Sequence, residues 1–134
     1  MEFDVKSPIL GFENVTRVKL EKIDDIFMKL TNANDIVPSF TLVNPFILRE
    51  YSFEIPTAIQ VLLEIKDDNS SKLLITNIMV LYKNIMNSTI NFLAPLIFNF
   101  DNKTMAQVVL DGFKYTNYGV SESISKYIKD NARN

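Results

Sequence analysis

The chain has 134 residues, a formal charge of −2, and neither cysteine nor histidine. Those two absences exclude thiol nucleophiles, disulfide frameworks, Cys/His zinc sites and Ser-His-Asp relays. A domain of this length buries roughly two-thirds of its unfolded surface, and no Gly/Ser/Pro-rich linker, repeat or charge block divides the sequence, so residues 1–134 read as one domain. Met1 to Lys6 is acidic where a signal peptide is basic, and no apolar run approaches the ~18 residues of a membrane span. The expectation is a cytoplasmic protein without membrane contact. The mild acidity argues against direct nucleic-acid binding, which needs a basic face for phosphates.

In chain order, Phe3-Asp-Val-Lys predicts a first strand that turns between Ser7 and Asn14, around Pro8 and Gly11. Val15 to Leu20 and Ile26 to Leu30 follow as short strands around Asp24-Asp25. Ser39 to Val43 is a strand ended at Asn44-Pro45, because the residue before proline is pushed away from helix. Arg49 to Pro56 carries the cleanest alternation: Tyr51, Phe53 and Ile55 on one face, Glu50, Ser52 and Glu54 on the other. It reads as a half-buried strand. Pro56 suits the first position of a helix whose Ile59, Leu62 and Leu63 share a face.

Lys66 to Ser71 is a solvated turn, Leu73 to Tyr82 an apolar strand, and Lys83 to Asn87 a further turn. Asn91 to Phe100 is apolar at nearly every position, so both its faces must be covered. Pro95 cannot donate to a ladder and marks a bulge, edge or strand junction. Across the turn at Asp101 to Lys103, Met105 to Leu110 completes an antiparallel hairpin. Ser121 to Ile128 predicts a closing helix capped by Ser121, with Ile124, Tyr127 and Ile128 on one face. The polar tail 129–134 is expected to fray. The fold class is a mainly β, small antiparallel β-barrel-like domain with one or two short helices.

No residue set for catalysis, metal or cofactor emerges. Asp24-Asp25 and Asp67-Asp68 are adjacent pairs, which in a strand point to opposite faces instead of converging. No GxGxxG, Walker, HExxH or nucleophile-elbow motif is present. The polar residues inside apolar runs, Asn77, Asn91, Asn99 and Gln107, stand out because a buried amide must find partners. Their amides serve either strand ends and the Pro95 bulge or a partner's backbone along an incomplete sheet edge. Asn44 and Phe46, at the proline turn, are either a structural turn or a surface anchor.

Leu42-Val-Asn-Pro-Phe46, Tyr51-Ser-Phe-Glu-Ile-Pro56, Asn91-Phe-Leu-Ala-Pro-Leu-Ile-Phe-Asn99 and Gln107-Val-Val-Leu110 resemble, in order and spacing, the signatures of the flagellar assembly factor FliW family. Ser7 to Glu13 and Tyr115 to Val120 also fit, so the resemblance spans nearly the whole chain. The turn Asn102 to Gln107 is less basic here than in many members. The resemblance implies a non-enzymatic cytoplasmic regulator with no cofactor and two alternative partners. One is flagellin, held by its carboxy-terminal region; the other is CsrA, an RNA-binding repressor of flagellin translation. Freed of flagellin, such a protein binds CsrA and relieves repression. On this reading Leu93, Leu96 and Phe46 are groove candidates for an amphipathic flagellin helix. Glu50, Glu54, Asp67 and Asp68 are candidates for a field that opposes RNA on CsrA. The rival from another class is a small β-barrel that binds nucleic acid through strand aromatics. The aromatics here lack the interleaved Lys and Arg such a surface needs.

Overall fold

The structure, a computed structural model, describes residues 1–128; the expected fraying of 129–134 lies outside the described residues. Among the described residues nine strands occur: β1 (Glu2–Ser7), β2 (Arg17–Lys22), β3 (Phe27–Asn32), β4 (Ser39–Val43), β5 (Leu73–Val80), β6 (Thr89–Ile90), β7 (Leu96–Asn99), β8 (Thr104–Gln107) and β9 (Glu122–Ser123). Two short helices, α1 (Pro45–Leu48) and α2 (Thr57–Leu62), lie between β4 and β5. Strands β1, β2, β3, β4, β5, β7 and β8 close into a ring, because β4 pairs with β5 and β8 pairs with β1. Every pair in that ring is antiparallel except β1 with β8, which is parallel and bulged between Val5 and Ser7. Closure removes the free edges that an open sheet would present.

The two-residue period of the strands sorts their side chains between the barrel interior and its outside. Inside lie Phe3, Val18, Leu20, Met28, Leu30, Leu42, Leu96, Phe98 and Met105. Phe3 meets Phe98 and Phe100 edge-on at 5.0 and 5.3 Å. Two outer clusters cover the far side of β5, β7 and β8: Val43, Tyr51, Met79, Ile90, Phe92 and Ile124 in one, and Leu63, Ile97, Ala106, Val108 and Leu110 in the other. All four residues of β7 are therefore buried. This accounts for the nearly unbroken apolar run from Asn91 to Phe100.

Several expected elements take a different form. Arg49 to Pro56 keeps its alternation of buried and exposed residues but joins no ladder. Tyrosine hydroxyls replace the neighbouring strand: the Ser52 N–H donates to Tyr118 Oη at 2.8 Å and the Glu54 N–H to Tyr115 Oη at 2.9 Å. The proline turn at Asn44 winds into α1, with Asn44 Oδ1 accepting from the Phe46 N–H at 3.0 Å as its cap. Pro56 precedes α2 as its cap residue instead of opening it. Leu62 is exposed, so only Ile59 and Leu63 of the expected apolar face turn inward. The expected closing helix is β9 followed by one 3-10 turn, Ile124–Lys126, and its cap is Ser123, not Ser121. The hairpin of β7 and β8 forms as expected, but β8 ends at Gln107.

Candidate protein-interaction surface

Strands β6 and β7 pair with the same strand, β5, at Met79–Val80 and Leu73–Thr76 respectively. Between them the Asn91 N–H still donates to Ile78 O of β5 at 3.2 Å, and Phe92 to Pro95 then leaves the ladder, so the missing N–H of Pro95 falls where no strand partner is needed. Other segments hold this excursion. The Phe92 N–H donates to Gly119 O at 2.9 Å, Leu93 O accepts from the Leu110 N–H at 2.7 Å, and Pro95 O accepts from the Val108 N–H at 2.9 Å. Val108 to Leu110 thus continues past β8 bonded to the excursion instead of to a strand.

The amide side chains complete the repair. Asn77 Nδ2 donates to Asn91 O at 3.0 Å and to Tyr51 Oη at 3.2 Å, while Tyr51 Oη donates to Phe92 O at 2.6 Å. Burial pushes the Tyr51 pKa well above the ordinary tyrosine value, which keeps the hydroxyl a donor. Asn91 Oδ1 accepts from the Leu93 N–H at 3.0 Å. Asn99 Nδ2 donates to Leu63 O at 2.8 Å, and its Oδ1 accepts from the Asp101 N–H at 3.0 Å. Gln107 Oε1 accepts from the Leu10 N–H at 2.7 Å, and its Nε2 donates to Ala94 O at 3.3 Å.

Directly after α1, Arg49 joins a polar and aromatic cluster. Its guanidinium carbon lies 5.0, 4.9 and 5.5 Å from the ring centres of Phe92, Tyr118 and Tyr127. Its Nη1 donates to Glu122 Oε2 at 3.2 Å and to Tyr127 Oη at 2.9 Å, and its Nη2 to Asn117 O at 3.3 Å. Glu122 also accepts from the Gly119 N–H at 2.7 Å, from Lys126 Nζ at 3.0 Å and from the Tyr127 hydroxyl. Burial alone would raise the pKa of this carboxyl; the Tyr127, Gly119 and Lys126 donors outweigh it and hold the group below its usual range. The cluster fastens residues 117–127 over Phe92. Sequence reasoning missed it, because Arg49 and Glu122 stand 73 positions apart and no periodicity links them.

The open surface lies elsewhere. At one end of the barrel β4 and β5 diverge beyond the Thr41–Met79 pair. A groove of ≈ 550 Å³ opens there, its walls including Leu10, Phe12, Phe40, Ile78, Leu81 and Val120. None of its lining residues carries a charge. A second groove of ≈ 560 Å³ has Leu20, Met28, Leu74 and Phe100 in its wall, with Lys22, Asp24 and Asp25 among its lining residues.

The anticipated contact residues fall into two groups. Phe46 is 53% exposed on α1, and Asn44, half-buried, is occupied as its cap. Glu50 and Glu54 are exposed, with Glu54 paired to Lys114 at 3.2 Å, and Asp67 and Asp68 lie on an exposed turn. Leu96 has no accessible surface and Asn99 is 1% exposed, so both serve the barrel; Gln107, 8% exposed, and half-buried Asn91 line the first groove, and Leu93 is half-buried at the excursion. Leu93, Leu96 and Phe46 do not form a common groove, because Leu96 faces the barrel interior while Phe46 packs on the Tyr51 ring outside. The apolar residues of the observed groove gave no signal that separates them from core positions.

Comparison with known proteins matches residues 2–124 to the FliW protein family. The chain is 57% identical over 132 residues to flagellar assembly factor FliW 2 of Wolinella succinogenes, covering 98% of this chain and 96% of that one. It is 55% identical over 129 residues to flagellar assembly factor FliW of Sulfurimonas denitrificans, covering 96% and 99%. A crystal structure of the flagellar assembly factor FliW superposes with a TM-score of 0.80 at 21% identity, over 92% of this chain and 84% of that one, and shares its fold. With the family match over nearly all of its length and these two relatives, the chain belongs to the FliW family of flagellar assembly factors.

Proposed function

We propose that this chain is a non-enzymatic cytoplasmic assembly factor that holds flagellin by its carboxy-terminal region. When freed, it binds CsrA and relieves repression of flagellin translation. The observation that supports this reading is the uncharged apolar groove where β4 and β5 diverge. An amphipathic helix offers an apolar stripe, and a groove free of charge accepts such a stripe without desolvating an ion. The groove at Leu10, Phe12 and Leu81 replaces the Leu93, Leu96 and Phe46 combination as the seat for that helix. For CsrA the relevant feature is the exposed carboxylates of Glu50, Glu54, Asp67 and Asp68. Placed beside a surface that binds phosphates, they lower its potential and disfavour RNA.

Pull-down with flagellin and with CsrA, followed by competition between the two, tests the reading. Each partner is retained and displaces the other; retention of neither overturns the assignment. Leu81→Glu, a change at an exposed position, abolishes flagellin capture on this account. Reversing the charge of Glu50 and Glu54 weakens RNA displacement from CsrA more than flagellin capture, with a salt-dependent loss. Equal effects on both activities reject the electrostatic part.

A further inference from the structure

The extended segment from Tyr51 to Ile55 has two backbone edges, and only one is used. In an extended chain the N–H and C=O of one residue point to the same edge, and the next residue's point to the opposite one. Ser52 and Glu54 turn theirs toward the tyrosines: Tyr118 Oη accepts from the Ser52 N–H at 2.8 Å and donates to Ser52 O at 2.9 Å, and Tyr115 Oη accepts from the Glu54 N–H. Tyr51, Phe53 and Ile55 turn theirs the other way. Among the described residues, the N–H groups of all three and the C=O groups of Tyr51 and Phe53 have no hydrogen-bond partner; Ile55 O accepts from Gln60 Nε2 at 2.7 Å. Backbone groups in a folded protein are paired with protein or with water. At Phe53 and Ile55, both partly exposed, this edge meets solvent, while Tyr51, 6% exposed, lies at its covered end.

The segment is held rigidly enough to act as a template. Tyr51, Phe53 and Ile55 are anchored in the two outer clusters, and the Tyr115 and Tyr118 rings stack 5.9 Å apart at 6° behind the opposite edge. Its outward face carries Glu50, Ser52 and Glu54, all exposed. Glu54 pairs with Lys114, whereas Glu50 has no ion pair among the described residues. A second copy of the same edge would bring carboxylate against carboxylate, which disfavours self-pairing.

We infer that the Tyr51–Ile55 edge is a docking edge for an extended segment of a partner protein carrying lysine or arginine. The segment adds as a strand through main-chain hydrogen bonds, and its cations stand opposite Glu50 and Glu54. The inference rests on the proposed pairing with CsrA, the partner that must present cations to RNA, and it assigns that pairing a place and a mode.

Residue-resolved amide hydrogen exchange on the whole chain, alone and with CsrA, tests it. In the free protein the Phe53 and Ile55 amides exchange fast at every protein concentration. In the complex they slow by about tenfold or more, and the double change Glu50→Gln, Glu54→Gln weakens the complex and flattens its salt dependence. Slow exchange at Phe53 in the free protein shows the edge already covered and overturns the inference, as does protection that grows with protein concentration. A complex that forms with unchanged Phe53 and Ile55 amides overturns the inference alone. Failure to form any complex with CsrA overturns the functional reading and this inference with it. Protection by flagellin in place of CsrA refutes the assignment of a basic partner.

Discussion

Replacing Tyr51 by phenylalanine removes one oxygen from the buried network that ties the excursion to the 49–56 segment. Tyr51 is 6% exposed, and its hydroxyl donates to Phe92 O at 2.6 Å while accepting from Asn77 Nδ2 at 3.2 Å. Without it Phe92 O is orphaned, at about 1–3 kcal/mol, and the longer Asn77 bond is lost, at about 0.5–1.5 kcal/mol. Asn77 keeps Asn91 O as an acceptor, which limits the second loss. The ring and its packing remain, so no cavity enters the sum. The expected destabilisation is about 2–3 kcal/mol, or roughly 8 °C in Tm for a domain of this size. Urea unfolding at neutral pH measures it as a shift in midpoint at constant slope. A loss below about 0.5 kcal/mol would refute the reasoning, since it would mean that water replaces the hydroxyl and the network is not sealed. Alkaline titration of the five tyrosines gives a second check. Burial raises the pKa of Tyr51 and, with the Glu122 hydrogen bond, that of Tyr127, so the late component of the absorbance change is smaller in the variant than in the wild type.

A Cβ at Gly119 would stand 2.8 Å from Glu122 Cγ, whose carboxylate Arg49 and Lys126 hold, so Gly119→Ala should cost about 1–3 kcal/mol in the same unfolding assay. Arg49→Lys keeps the charge but loses the planar group that lies over three rings; it should cost about 1–2 kcal/mol and shift the Tyr118 and Tyr127 ring resonances. The Glu122 carboxyl has a folded pKa below its ordinary 4.5, so the unfolded chain takes up this proton more readily. Its contribution to stability is full above that ordinary value and is lost as pH falls through the folded one. Glu122→Gln should therefore reduce the decline of the urea midpoint on acidification; an unchanged decline would refute the linkage.

Most of the barrel was legible in the sequence because its strands obey simple patterns. β4 could be read to the residue, since Phe40, Leu42 and Val43 stop at a proline. The doubly buried β7 betrayed itself by losing its alternation. The Arg49–Pro56 misreading has a physical cause. Alternation reports which side chains are buried, not what the backbone bonds to, and here two tyrosines from sixty-odd residues downstream take the place of a strand. The closing helix failed for a related reason: Ile124 and Tyr127 are inward, as its apolar face required, but β9 and the Arg49–Glu122 pair fix the preceding chain in an extended form. The groove was illegible because Leu10, Phe40 and Leu81 differ from core residues only in what the rest of the fold leaves uncovered.

The Pro95 break lies between the two surfaces proposed for partners. From Ile90 to Leu96 the chain advances six residues while β5 advances only three, from Met79 back to Thr76, and the surplus forms the excursion. By leaving the ladder, Phe92 to Pro95 supplies Ala94 to the wall of the apolar groove and Phe92 to the ring cluster over which Arg49 sits. The Tyr51 hydroxyl and the Asn77 amide join that same excursion to the segment bearing the free edge. Groove and edge thus adjoin one buried polar network, the groove through Asn91 and the edge through Tyr51. If the two partners exclude one another without overlapping, this network is where their coupling resides. Tyr51→Phe then separates the two cases: it reduces the mutual exclusion of flagellin and CsrA while leaving each able to bind alone, whereas direct overlap of their sites leaves the exclusion intact.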